Sequence, residues 1–160
     1  MKKSKQSIRT YRKSSFCSEC KGKCCKIIPG CIFPEDFIRN NKKIDRKTIT
    51  DMVVNGTYAF DSWEGFGGKG VGLFIRPSTK GKEKLILDFS WGGECVFLTK
   101  KGCKLSFKNR PLQCRNLKPR KNKRCTGDKR TGKYEAAVAW SKYYKLIESI
   151  VHSENNSKKD

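Results

Sequence analysis

The run Cys17-Ser18-Glu19-Cys20-Lys21-Gly22-Lys23-Cys24-Cys25 places four cysteines within nine residues. Thiolates packed this densely repel one another, and a metal ion or an iron–sulfur cluster bound among them removes that repulsion. Disulfides are the alternative, but adjacent Cys24 and Cys25 do not easily bond to each other, because disulfide geometry needs well-separated Cα atoms. Two residues separate Cys17 from Cys20, a spacing that lets both thiolates chelate one metal from a tight turn, and Gly22 leaves the backbone free to turn. The run therefore predicts a metal site that organises the fold.

A second cysteine region extends from Cys95 to Cys125. Its members Cys95, Cys103 and Cys114 are too far apart in sequence to chelate a metal locally, so they reach one only through the fold. We therefore expect the two cysteine regions to meet in space. Pro111 is typical of the first turn of a helix, which would hold Cys114 rigidly one turn further on.

Two arginines flank this predicted helix. Arg110 and Arg115 either offset the negative charge of a thiolate-ligated centre and donate hydrogen bonds to its sulfurs, or form an ordinary surface pair.

The composition indicates where the protein acts and what kind of partner it attracts. Lys and Arg number 37 against 15 Asp and Glu, which gives a net charge of +22 and predicts attraction to phosphate-rich or acidic partners. The first sixteen residues are basic but lack the apolar region of a signal peptide, and no stretch approaches the ~20 apolar residues of a membrane span. We expect a cytoplasmic protein without a membrane segment, in which thiols stay reduced and clustered cysteines bind metal.

The chain of 160 residues is long enough for one domain. We expect a flexible basic tail over 1–15, the cysteine-cluster metal-binding domain over 16–152 and a polar tail over 153–160. Apolar spacing and capping residues predict helices over 34–38, 45–54 and 134–151. Enrichment in β-branched and aromatic residues predicts strands over 57–63, 71–76 and 84–89, with the glycine-rich segment 65–72 as a hairpin loop. The predicted fold is α+β, a small single domain with a few antiparallel strands, short helices and a C-terminal helix around a cysteine-ligated metal site.

The cysteine blocks resemble a known family. The run Cys17 to Cys25, followed by Cys-Val-Phe-Leu at 95–98, Gly-Cys at 102–103 and Arg-Pro-Leu-Gln-Cys-Arg at 110–115, is similar to the YkgJ-type cysteine-cluster family. That family is described as zinc- or iron-chelating and is distantly related to flagellin lysine N-methylase. The resemblance implies that its metal-binding cysteines correspond here to Cys17, Cys20, Cys24, Cys25, Cys95, Cys103 and Cys114. One departure is visible, since three residues rather than two separate Cys20 from Cys24.

One further cysteine would make eight, enough for two four-thiolate centres. Cys31 follows the turn Pro29-Gly30, which could aim it back at the cluster, whereas Cys125 ends a basic loop. Either is otherwise an ordinary small buried residue. We favour Cys31 because it is closer in sequence to the dense cluster.

An all-thiolate site suits both an iron–sulfur cluster and zinc. We favour the iron–sulfur cluster, because adjacent Cys24 and Cys25 can ligate different atoms and because the chain has a single histidine, His152, at the end of the last helix. Zinc would instead make the site structural.

Two classes of function follow from these patterns. The first is a metal-binding protein that supports redox or protein-modification chemistry with a protein partner or substrate that the sequence does not name. The second is a zinc-stabilised nucleic-acid-binding module, suggested by the net charge, the basic loop 118–124 and the stacking candidates Tyr11, Phe16 and Trp63. No Ser-His-Asp triad is expected with one terminal histidine. Asp61 and Glu64 form either a pair of acids at one site or ordinary turn chemistry.

Overall fold

A computed structural model describes residues 8–11, 21–64, 71–90, 92–121 and 125–156 of the protein. The helices are α1 (Lys23–Ile27), α2 (Pro34–Arg39), α3 (Arg46–Val54), α4 (Leu112–Arg115), α5 (Lys133–Trp140) and α6 (Tyr144–Asn156). The strands are β1 (Tyr58–Glu64), β2 (Val71–Pro77), β3 (Leu98–Thr99) and β4 (Gly102–Cys103). Short 3₁₀ turns cover Phe107–Asn109, Lys129–Thr131 and Ser141–Tyr143. The predicted α+β class with antiparallel strands and a C-terminal helix is confirmed.

The central hairpin matches the sequence prediction for the first two strands. β1 and β2 pair antiparallel from Tyr58 with Pro77 to Glu64 with Val71. The glycine-rich loop predicted between them falls largely on 65–70, outside the described residues. On the other side of β2, the Ile32 N–H donates to the Ile75 carbonyl at 2.9 Å. This contact ties the segment after the first cysteine run to the sheet.

The third predicted strand, 84–89, is wrong. This segment makes only one parallel bridge, between Leu87 and Phe60. The carboxylate of Asp88 accepts hydrogen bonds from the Ser90 N–H and hydroxyl, which is a turn that ends any extended pairing. Apolar content therefore brought the segment beside β1 without making it a regular strand.

The predicted helices are present with altered ends. The Asp45 carboxylate caps α3 by accepting from the Thr48 N–H at 2.8 Å. The predicted C-terminal helix 134–151 is divided into α5 and α6 by the 3₁₀ turn 141–143. Its apolar side faces the core as predicted, together with α2, α3 and the sheet; the fully buried members include Ile49, Val53, Phe60, Phe74, Ile75, Ala136, Trp140, Ile147 and Ile150.

Trp140 joins the helical layer to the rest of the core. Its indole N–H donates to the Ile32 carbonyl at 2.8 Å, and its ring meets Phe37 edge-on at 5.5 Å between centroids. Burial of this side chain is complete. Truncating a buried Trp costs about 3–5 kcal/mol, so Trp140 is a major source of stability.

A buried ion network lies under the hairpin. The Arg76 guanidinium, 1% exposed, contacts the Asp61 carboxylate at 2.7 Å and the Asp88 carboxylate at 3.0 Å. Burial opposes ionisation of Asp88, but hydrogen bonds from Ser90 and Arg76 outweigh it and lower the pKa of Asp88 to about 2. The same arginine therefore pairs with both carboxylates.

None of the helices in the described parts of the chain is long and apolar enough to cross a lipid bilayer. Part of the predicted N-terminal tail lies on the domain, since the Tyr11 N–H donates to the Arg115 carbonyl at 2.7 Å.

Candidate metal centre

Helix α1 carries the adjacent cysteines, and a left-handed turn leads into it. Gly22 has φ +77°, a conformation that glycine adopts without strain, and a Cβ there would lie 2.5 Å from Leu98 Cδ1. The sequence expectation that this glycine permits a sharp backbone turn is met. Cys24 and Cys25 follow on α1, whereas Cys17 and Cys20 lie outside the described residues.

The second cysteine region packs directly on α1. The Cys95 N–H donates to the Cys25 carbonyl, and the Gly93 N–H donates to the Ile27 carbonyl, both at 2.8 Å. An isolated bridge between Thr79 and Cys95 holds the same segment to the chain that leaves β2. The two cysteine regions, seventy positions apart in sequence, therefore meet as predicted.

Cys114 enters from a third direction on α4. Its thiol lies so close to the backbone of Gly30 that a Cβ on this glycine would be 2.3 Å from Cys114 Sγ. The Cys31 N–H donates to Gln113 Oε1 at 2.6 Å, which fixes the turn at Gly30 against α4. Glycine is thus required at position 30 for the close approach of the sulfur.

A buried ion pair sets the position of α4. The Asp36 carboxylate contacts Arg115 Nη2 at 2.5 Å and accepts from the Leu112 N–H at 2.9 Å and the Phe33 N–H at 3.0 Å. Arg115 is 4% exposed, so it is not the surface residue that one reading of the sequence allowed. Its positive charge is paired with the Asp36 carboxylate. The sequence gave no signal for this partner other than an acid in the first turn of α2.

Arg110 is the cation on the thiol side. It lines the cysteine cavity, and its Nε donates to the Leu105 carbonyl at 3.1 Å. Its backbone carbonyl accepts from Arg115 Nε at 2.9 Å, so the buried pair also holds Arg110 in place. Of the two arginines, only Arg110 is thus placed to offset thiolate charge.

These elements enclose one cavity of about 100 Å³. Six cysteines contribute to its walls: Cys24, Cys25, Cys95, Cys103, Cys114 and Cys125. Most other wall residues are apolar or glycine, among them Tyr11, Phe97, Leu105 and Leu117. Cys125 arrives through the bridge between Lys118 and Thr126, which closes the base of the basic loop.

Cys31 follows Gly30 but is not a wall residue of the cavity. It is fully buried in the hydrophobic core and does not line the cavity. Burial raises the pKa of its thiol to about 12.

Burial makes ionisation costly for two thiols of the cavity, and a third is affected by its neighbour. Burial raises the pKa of Cys95 to about 11 and also raises that of Cys114. A hydrogen bond from the Cys25 thiol lowers the pKa of Cys24 to about 6 and raises that of Cys25. A bound cation would favour the thiolate forms of Cys25, Cys95 and Cys114, which the site disfavours.

The donor set fits a thiolate-binding metal, since soft sulfur ligands prefer zinc and iron–sulfur clusters. Among the residues that the structure describes, however, no three Cys, His, Asp or Glu side chains converge closely enough to hold one ion. His152 is exposed on α6 and takes no part in the cavity.

Comparison with known proteins identifies the class. A family model named CxxCxxCC, with the description "Putative zinc- or iron-chelating domain", matches residues 16–134. The chain therefore belongs to this family, which confirms the resemblance drawn from the cysteine blocks and supports a zinc- or iron-binding cysteine cluster. No curated protein and no solved structure matches the chain.

Proposed function

We propose that this protein holds a metal centre, an iron–sulfur cluster or zinc, through the cysteines of its thiol-lined cavity. The observation that carries the proposal is that six cysteines from separate parts of the sequence line one small apolar cavity. Packing of a hydrophobic pocket does not require six thiols. All six cysteines lie within residues 16–134, which match the family model.

The proposed ligands are Cys24, Cys25, Cys95, Cys103 and Cys114, joined by Cys17 and Cys20. For the eighth position we prefer Cys125, because it lines the cavity whereas Cys31 belongs to the hydrophobic core. Cys31 nevertheless supports the site, since its amide holds Gln113 beside Cys114.

An iron–sulfur cluster is the favoured occupant. Adjacent Cys24 and Cys25 on α1 can ligate different iron atoms, and the histidine that many zinc sites use is absent from the cavity wall, since His152 lies on α6. When bound, such a cluster would supply one-electron transfer, and zinc would supply cross-linking of the fold. Arg110 would offset part of the thiolate charge, and the apolar wall would restrict the access of water, two factors that tune a cluster's potential.

The proposed biochemical role is support of redox or protein-modification chemistry, with an unidentified protein as partner or substrate. The chain's own residues contribute the thiolates, one compensating cation and a rigid frame through the Asp36–Arg115 pair.

The test is the content of iron, zinc and acid-labile sulfide in protein purified without oxygen. Cys24→Ser and Cys114→Ser are each expected to remove most of the bound metal. Iron with matching sulfide would establish the cluster, and zinc without sulfide would make the site structural. Full retention of metal by both variants would refute the proposed site.

A second candidate function, binding of single-stranded nucleic acid, is favoured by the net charge of +22 and by aromatic side chains at the surface. Of the predicted stacking residues, Trp63 is 37% exposed. Tyr11 instead lines the cysteine cavity, and Phe16 lies outside the described residues. The candidate predicts affinity that falls steeply with salt, because counterions are released from phosphate. Weak binding at low salt would remove it.

A further inference from the structure

A second cavity lies at the other end of the hairpin and shares no lining residue with the cysteine cavity. It has a volume of about 170 Å³ and is lined by Asp61, Ser62, Trp63, Glu64, Phe89 and Lys133. Pockets for whole drug-sized ligands span about 300–1,000 Å³, so this cavity suits a single ring.

Exposed aromatic side chains surround this cavity. Phe89 is 53% exposed and Tyr134 is 46% exposed. Tyr134 meets Trp63 edge-on, with 6.3 Å between ring centroids. Large aromatics grouped at the surface of a strongly charged protein indicate a contact surface, because isolated exposed apolar residues are common but such groups are not.

The polar groups of the cavity differ in whether they are already paired within the protein. The Asp61 carboxylate is buried and is neutralised by Arg76 at 2.7 Å and by Lys133 at 3.3 Å. Glu64 and Ser62 also line the cavity. The Glu64 carboxylate can accept a hydrogen bond, and the Ser62 hydroxyl can donate or accept one. The cavity thus offers aromatic faces together with hydrogen-bonding groups, and Lys133 supplies a cation at its wall.

We propose that this aromatic cavity, lined by Trp63, Phe89 and Glu64 and flanked by Tyr134 edge-on to Trp63, binds one base of a single-stranded nucleic acid. Stacking on Trp63 and its neighbours would hold the ring, while the Glu64 carboxylate would accept from an amino or imide N–H of the base. The exposed Lys129, in the preceding 3₁₀ turn, would face the phosphates, whereas Lys133 stays paired with Asp61. The inference rests on the second candidate function, and it names the place and the group recognised.

The experiment compares two ligands on the intact protein. One is a labelled oligouridylate, and the other is an abasic oligomer of the same length, which keeps every phosphate and lacks every base. Fluorescence anisotropy at low salt measures both dissociation constants. The wild-type protein is expected to bind the oligouridylate about 5- to 100-fold more tightly, the range that one stacked base supplies.

Variants locate that preference. Trp63→Leu is expected to abolish it without weakening the binding of the abasic oligomer, and Trp63→Phe is expected to restore part of it. Tyr144→Leu is the matched control, because Tyr144 is 39% exposed on α6 and does not line the cavity. Circular dichroism and metal content of the same samples report whether each variant is folded.

Each outcome decides a different point. Equal binding of the two oligomers by the wild type, or an undiminished preference in folded Trp63→Leu, would overturn the aromatic cavity while binding to a polyanion stands. Failure of the wild type to bind either oligomer would overturn the nucleic-acid function as well.

Discussion

The Asp36–Arg115 pair connects stability to the cysteine cavity, and Asp36→Asn tests that connection. The Asp36 side chain is 9% exposed and the Arg115 side chain is 4% exposed, with 2.5 Å between their charged atoms. Neutralising the carboxylate leaves a buried guanidinium without its counter-charge and points an amide at it. Removing one partner of a buried ion pair costs about 3–5 kcal/mol in the free energy of unfolding. For a chain of this size, this corresponds to a fall in Tm of roughly 6–20 °C.

The measurement is urea unfolding followed by circular dichroism, with metal content measured on the same samples. Because Asp36 also accepts from the Leu112 N–H, α4 should loosen and Cys114 with it, so metal content should fall together with stability. Glu35→Gln is the matched control, since Glu35 is the neighbouring acid on α2 and is exposed. A loss in Asp36→Asn no larger than in Glu35→Gln would show that this pair does not fix the site.

Three further predictions follow from the cavity and the buried network. Cys125→Ser should lower metal content whereas Cys31→Ser should retain it at some cost in stability, and the reverse pattern in metal analysis would restore Cys31 as the ligand. Gly30→Ala should displace the Cys114 thiol, because the added Cβ would lie 2.3 Å from its sulfur. Metal content should therefore fall. An unchanged metal content would show that the backbone at position 30 shifts to make room for the methyl group. The pKa of Asp88 is lowered to about 2 in the folded protein. The charged Asp88 therefore contributes about 2 kcal/mol to the free energy of unfolding above pH 4, and this contribution is lost as the pH falls towards 2. Asp88→Asn should therefore unfold with a shallower dependence on acid between these values, as measured by urea denaturation, and an identical dependence would contradict this account.

Local patterns in the sequence were sufficient for much of the fold. Asp45 caps α3 and the central hairpin pairs as predicted, because capping and alternation act between residues close in sequence. The strand prediction for 84–89 was wrong for the opposite reason. The apolar content of this segment is that of a strand, but the side-chain bonds of Asp88 to Ser90 and Arg76 decide its conformation.

Residue types and their spacing were enough to indicate what chemistry the site can support. Cysteines in these blocks, without a second histidine, predict a thiolate centre, and the family match bears out a zinc- or iron-binding cluster. Which groups meet depends on how distant segments pack together. The tertiary structure places Cys125 in the cavity wall and Cys31 in the core, and it assigns Arg115 to Asp36 across 79 positions of sequence. The physical reason is that residue type fixes what a side chain can bind, whereas contacts between distant segments depend on how the core packs, and one-dimensional spacing does not encode that packing.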